Sequence, residues 1–200
     1  MSAPILLALA TGYFLGSIPF GLLLTRFSGR GDLRDIGSGN IGATNVLRTG
    51  SKPLAALTLL LDAAKGAAAV MIAQHFWPEG VLFAAAGAMI GHLYPVWLKF
   101  KGGKGLATLL GLLIPLFPPA ALVFALVWLG LFIVIRISSV AGMAAAISVP
   151  LTAAVAGATA LFPMFLGLAI LVIWKHRENI QRLAAGTEPR IGQSAKGPAA

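Results

Sequence analysis

The sequence predicts an all-α, polytopic integral membrane protein with seven transmembrane helices, two of them short. The first observation is composition, since 58% of the 200 residues are hydrophobic and 10% are charged. The second is a mean hydropathy of +0.90, carried by long apolar runs. The third is that basic residues fall in the connectors between those runs. We expect a single transmembrane domain over residues 1–191 and a disordered tail over 192–200.

The first apolar run covers residues 3–25 and contains Pro19 between two glycines. A proline inside a helix removes a backbone donor, so we expect a kink whose freed carbonyl is satisfied by neighbouring groups. A cleaved signal peptide is the rival interpretation. No basic segment precedes the run and no clear cleavage site follows it, which disfavours that alternative.

The second run, about residues 53–74, places Asp62 and Lys65 three residues apart. Charges inside a span are costly unless they are paired or face a wet cavity. A structural ion pair is the favoured interpretation. The alternative is that both line a polar pocket, where Lys65 contacts an anion.

Five further runs complete the predicted set, at about 81–98, 106–117, 119–135, 140–160 and 164–174. The fourth and seventh runs are only about 12 residues, or ~18 Å of helix, which is too short to cross a bilayer unaided. Five spans with two re-entrant segments are therefore the alternative to seven. We find no convincing internal repeat, so the sequence gives no support to an inverted-repeat transporter.

The basic residues predict the orientation. Fourteen of the fifteen Lys and Arg residues lie in alternate connectors and in the C-terminal tail. These segments are 26–52, 99–104, 136–139 and the tail from residue 175. With seven spans, the positive-inside rule predicts an N-terminus outside and a cytoplasmic C-terminus. The net charge of +9 is spread over these connectors, so anionic lipids or phosphorylated substrates are expected partners and nucleic acid is not.

Composition also limits the chemistry. The chain has no cysteine, which excludes disulfides, thiolate metal sites and a cysteine acyl-enzyme. Its six acidic residues are scattered, which argues against a metal site built from carboxylates. We therefore predict no metal site.

The connector 26–52 contains a polar motif rich in glycine. Its members are Gly37, Ser38, Gly39, Asn40, Gly42, Thr44, Asn45 and Arg48. Glycine permits left-handed turns and close approach of backbone N–H groups to a ligand, and a guanidinium suits phosphate. The motif is therefore a candidate anion cradle. An ordinary turn before a helix is the alternative, since Gly, Ser and Asn are common turn formers.

A second polar segment follows the third run and contains Lys101, Gly102, Gly103, Lys104 and Gly105. It lacks the nucleotide-binding pattern, because Leu98 occupies the first required glycine position and Gly105 the required Ser or Thr. Flexible glycines and a lysine before a helix N-terminus still suit a phosphate. A basic turn that binds lipid headgroups is the alternative. His92 lies close enough in sequence to reach this site, whereas His75 falls on the opposite side.

The third polar segment begins at His176. Helical spacing places His176, Asn179 and Leu183 on one face. A histidine titrates near neutral pH, and an asparagine can orient it or a substrate. A solvated cytoplasmic helix is the alternative, in which Glu178 and Arg182 simply pair.

Together these segments resemble the bacterial membrane glycerol-3-phosphate acyltransferase family that uses acyl phosphate as donor. Five blocks carry the resemblance, in order, over nearly the whole chain. They are Gly16-Ser17-Ile18-Pro19; Gly37-Ser38-Gly39-Asn40-x-Gly42-Ala43-Thr44-Asn45 with Arg48; Asp62-x-x-Lys65-Gly66; Gly91-His92-x-x-Pro95 with Phe100-Lys101-Gly102-Gly103-Lys104-Gly105; and His176-Arg177-Glu178-Asn179.

The resemblance implies an enzyme of the inner (cytoplasmic) membrane with its active site facing the cytoplasm. It would transfer an acyl group from acyl phosphate to the 1-hydroxyl of sn-glycerol 3-phosphate, giving lysophosphatidate and phosphate. Direct transfer without a covalent intermediate is expected, and neither a cofactor nor an obligate protein partner is implied. The alternative is a transporter of a small phosphorylated metabolite, which would need a polar path to the outer face.

The resemblance also implies roles for individual residues. The expected catalytic residues are Ser38, Arg48, Lys104, His176 and Asn179. The expected substrate-binding residues are Gly39, Asn40, Gly42, Thr44, Asn45, Lys65, Lys101, Gly102, Gly103 and Gly105. Asp62 and Glu178 are expected to be structural, with Glu178 important for integrity. Whether His176 is a general base or only a phosphate ligand stays open.

Overall fold

A computed structural model describes residues 1–190, which form ten α-helices and three short 3₁₀ helices. The α-helices are α1 (Ala3–Gly16), α2 (Phe20–Phe27), α3 (Ala43–Leu47), α4 (Lys52–Phe76), α5 (Val81–Leu93), α6 (Leu106–Leu116), α7 (Pro118–Ile135), α8 (Ser138–Val155), α9 (Phe162–Lys175) and α10 (Arg177–Ala184). The 3₁₀ helices are Leu33–Asp35, Pro78–Gly80 and Val96–Leu98. These 190 residues contain no strand, so the all-α prediction is confirmed. The predicted disordered tail at 192–200 lies outside the described residues.

Five helical segments of the described chain are long and apolar enough to cross a membrane. They are Ala3–Phe27, Lys52–Phe76, Pro78–Leu98, Pro118–Ile135 and Ser138–Val155. Two shorter apolar helices, Leu106–Leu116 and Phe162–Lys175, occupy the positions of the two short predicted runs. The polytopic membrane architecture is thus confirmed, while the count of seven crossings stays a prediction.

The sixth predicted run ends earlier than expected. Sequence analysis extended it to residue 160, whereas α8 ends at Val155. Gly157 adopts a left-handed φ of +70°. Its N–H donates to the Ala154 carbonyl at 3.2 Å, and the Ala158 N–H donates to the Ala153 carbonyl at 2.8 Å. This pair of bonds is a Schellman motif, which stops a helix even where the sequence remains apolar.

Residue contacts divide the described chain into two compact units, the first over Met1–Ala121 and the second beginning at Leu122. In the first unit α1 packs against α5, and α4 packs against α6. In the second unit α8 packs against α9, and Phe165 is among its fully buried side chains. The prediction of a single transmembrane domain over residues 1–191 stays a prediction.

Glycines allow α1 and α5 to approach closely. A Cβ atom at Gly12 or Gly16 of α1, or at Gly87 or Gly91 of α5, would overlap a backbone carbonyl of the other helix. Small residues four apart are typical of helix pairs in membranes, where van der Waals packing and close backbone approach drive association. This glycine interface therefore sets the position of the first span against the third.

The first span is broken between α1 and α2, as its proline predicted. Pro19 lacks an N–H and leaves carbonyls outside the helical ladder. The indole Nε1 of Trp97 donates to the Ser17 carbonyl at 2.7 Å, and Nζ of Lys65 donates to the Ile18 carbonyl at 2.7 Å. Side chains from two other segments thus satisfy the backbone at the break, as hydrocarbon surroundings require.

We predict that Gly87→Ala destabilises the protein by about 1–3 kcal/mol, the usual cost of overpacking. The new methyl would overlap the Leu9 carbonyl oxygen and lie 2.9 Å from the Tyr13 nitrogen. The matched control is Gly167→Ala in α9, where no described atom lies within 4 Å of the added Cβ. Thermal unfolding in detergent should show a loss only for Gly87→Ala, and equal losses in both variants would contradict the close packing.

Candidate active site

A small apolar cluster seats the connector 26–52 in the first unit. Its buried members come from α2, the connector and α4: Leu22, Leu33, Ile41, Val46 and Ala55. Leu98, at the end of the 3₁₀ helix before the glycine-rich loop, packs against the same cluster. The connector and the start of the glycine-rich loop therefore share one apolar support.

Asn45 is the centre of the connector motif. Its side chain is 2% exposed, and its amide nitrogen donates to the carbonyls of Leu33 at 3.0 Å and Ile36 at 2.9 Å. Its Oδ1 accepts from the Ser38 backbone N–H at 3.2 Å and from the Ser38 hydroxyl at 3.4 Å. Sequence analysis expected Asn45 to contact a substrate, whereas here its amide folds the connector.

Ser38 and Arg48 are brought together through Asn45. Nη1 of Arg48 donates to the same Asn45 oxygen at a long 3.5 Å, and both Ser38 and Arg48 are exposed. Gly37 has a φ of +56°, and a Cβ there would lie 2.7 Å from Cδ of Arg48. Only a residue without a side chain allows the arginine to lie over this turn. Ser38 and Arg48, both expected to be catalytic, therefore contact the same Asn45 oxygen, and their roles stay a prediction.

The rest of the motif shapes the backbone around this pair. Gly39 also takes a left-handed φ, of +66°. Oδ1 of Asn40 accepts the Gly42 N–H at 2.9 Å just before α3 begins. Thr44 lies on the exposed side of α3. The motif is thus a compact turn that presents Ser38 and Arg48 at its surface.

The other arginines of the connector are engaged elsewhere. Arg34 and Arg26 pair with the Asp32 carboxylate at 2.6 and 3.3 Å, and Arg30 donates to the Thr49 carbonyl at 2.9 Å. The hydrogen bond from the Arg34 side chain, then that from its backbone, holds the pKa of Asp32 well below its usual range. Arg48 contacts Asn45 at a long 3.5 Å and is exposed, so it is the connector arginine best placed to bind an anionic ligand.

The glycine-rich loop folds back onto the end of α5. The N–H groups of Gly102 and Gly103 donate to the carbonyls of Leu93 at 3.1 Å and His92 at 3.0 Å. A Cβ at Gly103 would overlap the His92 ring. These two amides hold the loop in place, although sequence analysis expected them to face a phosphate. The glycines supply the close approach that this fold requires.

Lys104 follows at the entrance to α6. Gly105, with a φ of +85°, is the residue before the helix, so Lys104 precedes the unpaired N–H groups of its first turn. Lys104 is partly buried, whereas Lys101 is exposed. A lysine beside the positive end of a helix is suited to a phosphate group.

The predicted ion pair inside α4 is present. Nζ of Lys65 lies 2.6 Å from Oδ1 of Asp62, and both side chains are buried. The same ammonium reaches the Ile18 carbonyl and lies 5.7 Å from the centre of the Phe20 ring. Nδ1 of His92 is 3.8 Å from the Asp62 carboxylate. The contacts of Lys65 are thus with protein groups, which supports the structural interpretation over an anion contact.

His176 lies in the second unit, between α9 and α10, and is 1% exposed. Its Nδ1 is 2.7 Å from the Val172 carbonyl, which can only accept, so Nδ1 carries the proton. In the neutral ring Nε2 then bears the lone pair that a general base needs. His176 is the capping residue between α9 and α10, whereas Asn179 lies within α10.

Glu188 organises the residues around Asn179. Its carboxylate accepts from the Ser139 hydroxyl at 2.6 Å, the Asn179 amide at 2.6 Å and Nε of Arg182 at 2.7 Å. Burial opposes its ionisation, but these three hydrogen bonds outweigh that cost and keep the pKa of Glu188 below its usual value. It therefore fixes α10 to the start of α8.

Sequence analysis missed Glu188 and expected Glu178 to be the structural acid. Glu178 is exposed and has a 3.9 Å ion pair with Arg177, also exposed. A single acid nine residues beyond Asn179, in a polar tail, carries no helical periodicity that would mark it. The geometry favours Glu188 for the structural role.

We predict that Glu188→Gln lowers the stability of the protein by about 1–2 kcal/mol, because charge-assisted hydrogen bonds are lost. Glu178→Gln is the matched control and should leave the unfolding temperature nearly unchanged. Because folding lowers the pKa of Glu188, its ionised carboxylate stabilises the protein fully at pH values above the ordinary pKa of 4.5. This stabilisation is lost as the pH falls below that value. Unfolding temperatures measured from about pH 5.5 to 3.5 should therefore fall more steeply for wild type than for Glu188→Gln. Parallel curves would contradict the assignment.

Comparison with known proteins extends these observations to the whole chain. The family model for glycerol-3-phosphate acyltransferase matches residues 6–186. A glycerol-3-phosphate acyltransferase of Mesorhizobium japonicum is 58% identical over 197 residues, covering 98% of this chain and 100% of the relative. One from Rhodopseudomonas palustris is 58% identical over 187 residues, covering 93% of this chain and 95% of its own.

Solved structures agree with the sequence comparison. The crystal structure of PlsY (YgiH), an integral membrane glycerol 3-phosphate acyltransferase, in its glycerol 3-phosphate form superposes with a TM-score of 0.88 at 41% identity. The similarity covers 94% of this chain and 96% of that one. Its lysophosphatidic acid form gives a TM-score of 0.86 at 40% identity, over 94% and 95%. This chain therefore belongs to the glycerol-3-phosphate acyltransferase family.

Proposed function

We propose that this protein transfers a fatty acyl group from acyl phosphate to the 1-hydroxyl of sn-glycerol 3-phosphate, giving lysophosphatidate and phosphate. The observation that carries the proposal is the full-length match to glycerol-3-phosphate acyltransferases, at 58% identity over 98% of the chain. The solved relatives are described in glycerol 3-phosphate and lysophosphatidic acid forms, which correspond to a substrate and the product. This is the first acylation step of phospholipid synthesis.

The proposed chemistry is direct transfer. The glycerol hydroxyl oxygen attacks the acyl carbonyl carbon, the bond from that carbon to the phosphate oxygen breaks, and phosphate leaves with the electron pair. Acyl phosphate is an activated mixed anhydride, so positioning and charge stabilisation suffice without a nucleotide, a metal or an acyl-enzyme. The Ser38 hydroxyl, beside the Asn45 amide oxygen, acts as a ligand contact and not as a nucleophile.

Both substrates carry a phosphate, so the reaction needs cations placed at the two polar loops. Arg48 is exposed beside Ser38, and Lys104 precedes the N-terminus of α6. We assign these two residues to the phosphates and to the developing oxyanion. Lys101 and Thr44, both exposed, complete the proposed substrate contacts.

His176 is assigned the proton of the attacking hydroxyl. The hydrogen bond from Nδ1 to Val172 fixes the tautomer that leaves the lone pair on Nε2. Asn179 is held by Glu188, so its amide has a defined orientation for a substrate. The proton passes from the glycerol hydroxyl to Nε2 and then to the departing phosphate.

We also propose seven membrane crossings, with the N-terminus outside and the C-terminus and active site on the cytoplasmic side of the inner membrane. The five long helices supply five crossings. The 11 residues of α6 and the 14 of α9 cross only where the bilayer thins or neighbouring helices shield their ends. The basic connectors support this orientation.

The reaction is tested by incubating purified protein with acyl phosphate and labelled glycerol 3-phosphate, without ATP, added metal or coenzyme A. We expect labelled lysophosphatidate and one phosphate released per product. A parallel reaction with acyl-coenzyme A tests the donor. Product formed only from acyl-coenzyme A would contradict the proposed donor, and no product from either would contradict the proposed function.

The role of Lys104 is tested by Lys104→Met, which keeps the length of the side chain without its charge. Loss of a charge-assisted phosphate contact is expected to lower kcat/KM by about tenfold to a hundredfold. Lys99→Met, at an exposed lysine five residues earlier, is the control for general loss of positive charge. Equal effects of the two substitutions on kcat/KM would show that Lys104 makes no specific contact with a substrate phosphate.

A further inference from the structure

The loop before Lys104 is held in a conformation that needs external support. Lys99 and Phe100 both lie in the left-handed region, with φ of 51° and 62°. Residues with side chains adopt this region at a cost, so the surrounding structure must hold them there. The C-terminal side of this bend is held by the bonds of Gly102 and Gly103 to α5.

The other side of the bend is held by the broken first span. Trp97, two residues before Lys99, donates its indole N–H to the Ser17 carbonyl at 2.7 Å. This carbonyl is available because Pro19 interrupts the helix. The Trp97 ring is otherwise half-exposed and stacks on Phe14, with ring centres 6.3 Å apart. The indole bond thus attaches the strained loop to a defined point of the backbone.

The next carbonyl of the break leads to the same loop by a second route. Ile18 accepts from Lys65, which pairs with Asp62, and the Asp62 carboxylate lies 3.8 Å from Nδ1 of His92. The His92 carbonyl accepts the Gly103 N–H, and its ring fills the space beside Gly103. The Ser17 carbonyl is therefore bonded directly to Trp97 before the bend, whereas the Ile18 carbonyl connects to the far side of the bend through a chain that includes the 3.8 Å contact between Asp62 and His92.

We propose that the break in the first span is a positioning device for the glycine-rich loop, and that Trp97 and Lys65 are its positioning residues. Neither residue touches substrate in this account. They set the position of Lys104 and, through it, the affinity for the phosphate of glycerol 3-phosphate. This inference rests on the function proposed above. The strained pair Lys99–Phe100 makes the loop dependent on both attachments.

The test for Trp97 is Trp97→Phe, which keeps an aromatic ring and removes only the indole donor. We expect KM for glycerol 3-phosphate to rise about threefold to tenfold, the range for one hydrogen bond. The turnover number, KM for acyl phosphate and the unfolding temperature should change little. Phe14→Leu is the matched control, because it removes the ring stacking and keeps the hydrogen bond, and its KM should stay near wild type.

A second readout is independent of catalysis. The chain contains no cysteine, so Lys99→Cys carries a single spin label on the loop. Its electron paramagnetic resonance spectrum should show greater label mobility in the Trp97→Phe background than in wild type or Phe14→Leu. An unchanged spectrum overturns the proposal even if wild type proves inactive with acyl phosphate. Unchanged KM in an active Trp97→Phe enzyme also overturns it.

Lys65 requires a paired substitution, because removing one member leaves the other charge buried and alone. Asp62→Leu with Lys65→Met removes both charges and leaves the Ile18 carbonyl without its lysine donor. The double variant should show the same selective rise in KM and the same increase in label mobility. A folded double variant with wild-type KM and spectrum overturns the assignment of Lys65.

Discussion

A backbone carbonyl that leaves a helix inside a membrane must find a donor within the protein, and the first span depends on this constraint at its break. Ser17 and Ile18 lie at that break, and side chains 80 and 47 residues away in the sequence supply their donors. The ammonium of Lys65 is in turn balanced by Asp62. A local irregularity caused by one proline thus ties the first, second and third spans of this unit together.

Some groups of the polar motifs hold the loops in their folded shape, and others are proposed to bind the substrates. Asn45 and the amides of Gly102 and Gly103 make hydrogen bonds inside the protein. Arg48 is exposed on the outer side of a turn, and Lys104 is partly buried just before a helix start. Glycine in these motifs therefore provides close packing, and the proposed work of charge neutralisation falls to the two cations.

The sequence predicted the helices well because run length and hydropathy are local properties. The break at Pro19 was also predictable, because proline lacks a backbone N–H. The pair formed by Asp62 and Lys65 was predictable because residues three apart share a helix face. The end of α8 at Val155 was not, because Gly157 acts through geometry and not through polarity. The inward amides and the role of Glu188 depend on partners brought together only by folding, and no local pattern marks them.

We propose that the glycine-rich and basic segments of this acyltransferase work at the cytoplasmic face. Single cysteines at exposed positions of a chain that has none test it most directly: Ser38→Cys, Lys101→Cys and Glu178→Cys. A membrane-impermeant maleimide should label all three in inverted membrane vesicles and none in right-side-out vesicles. Labelling of any two of these positions from opposite sides of the membrane would contradict the account.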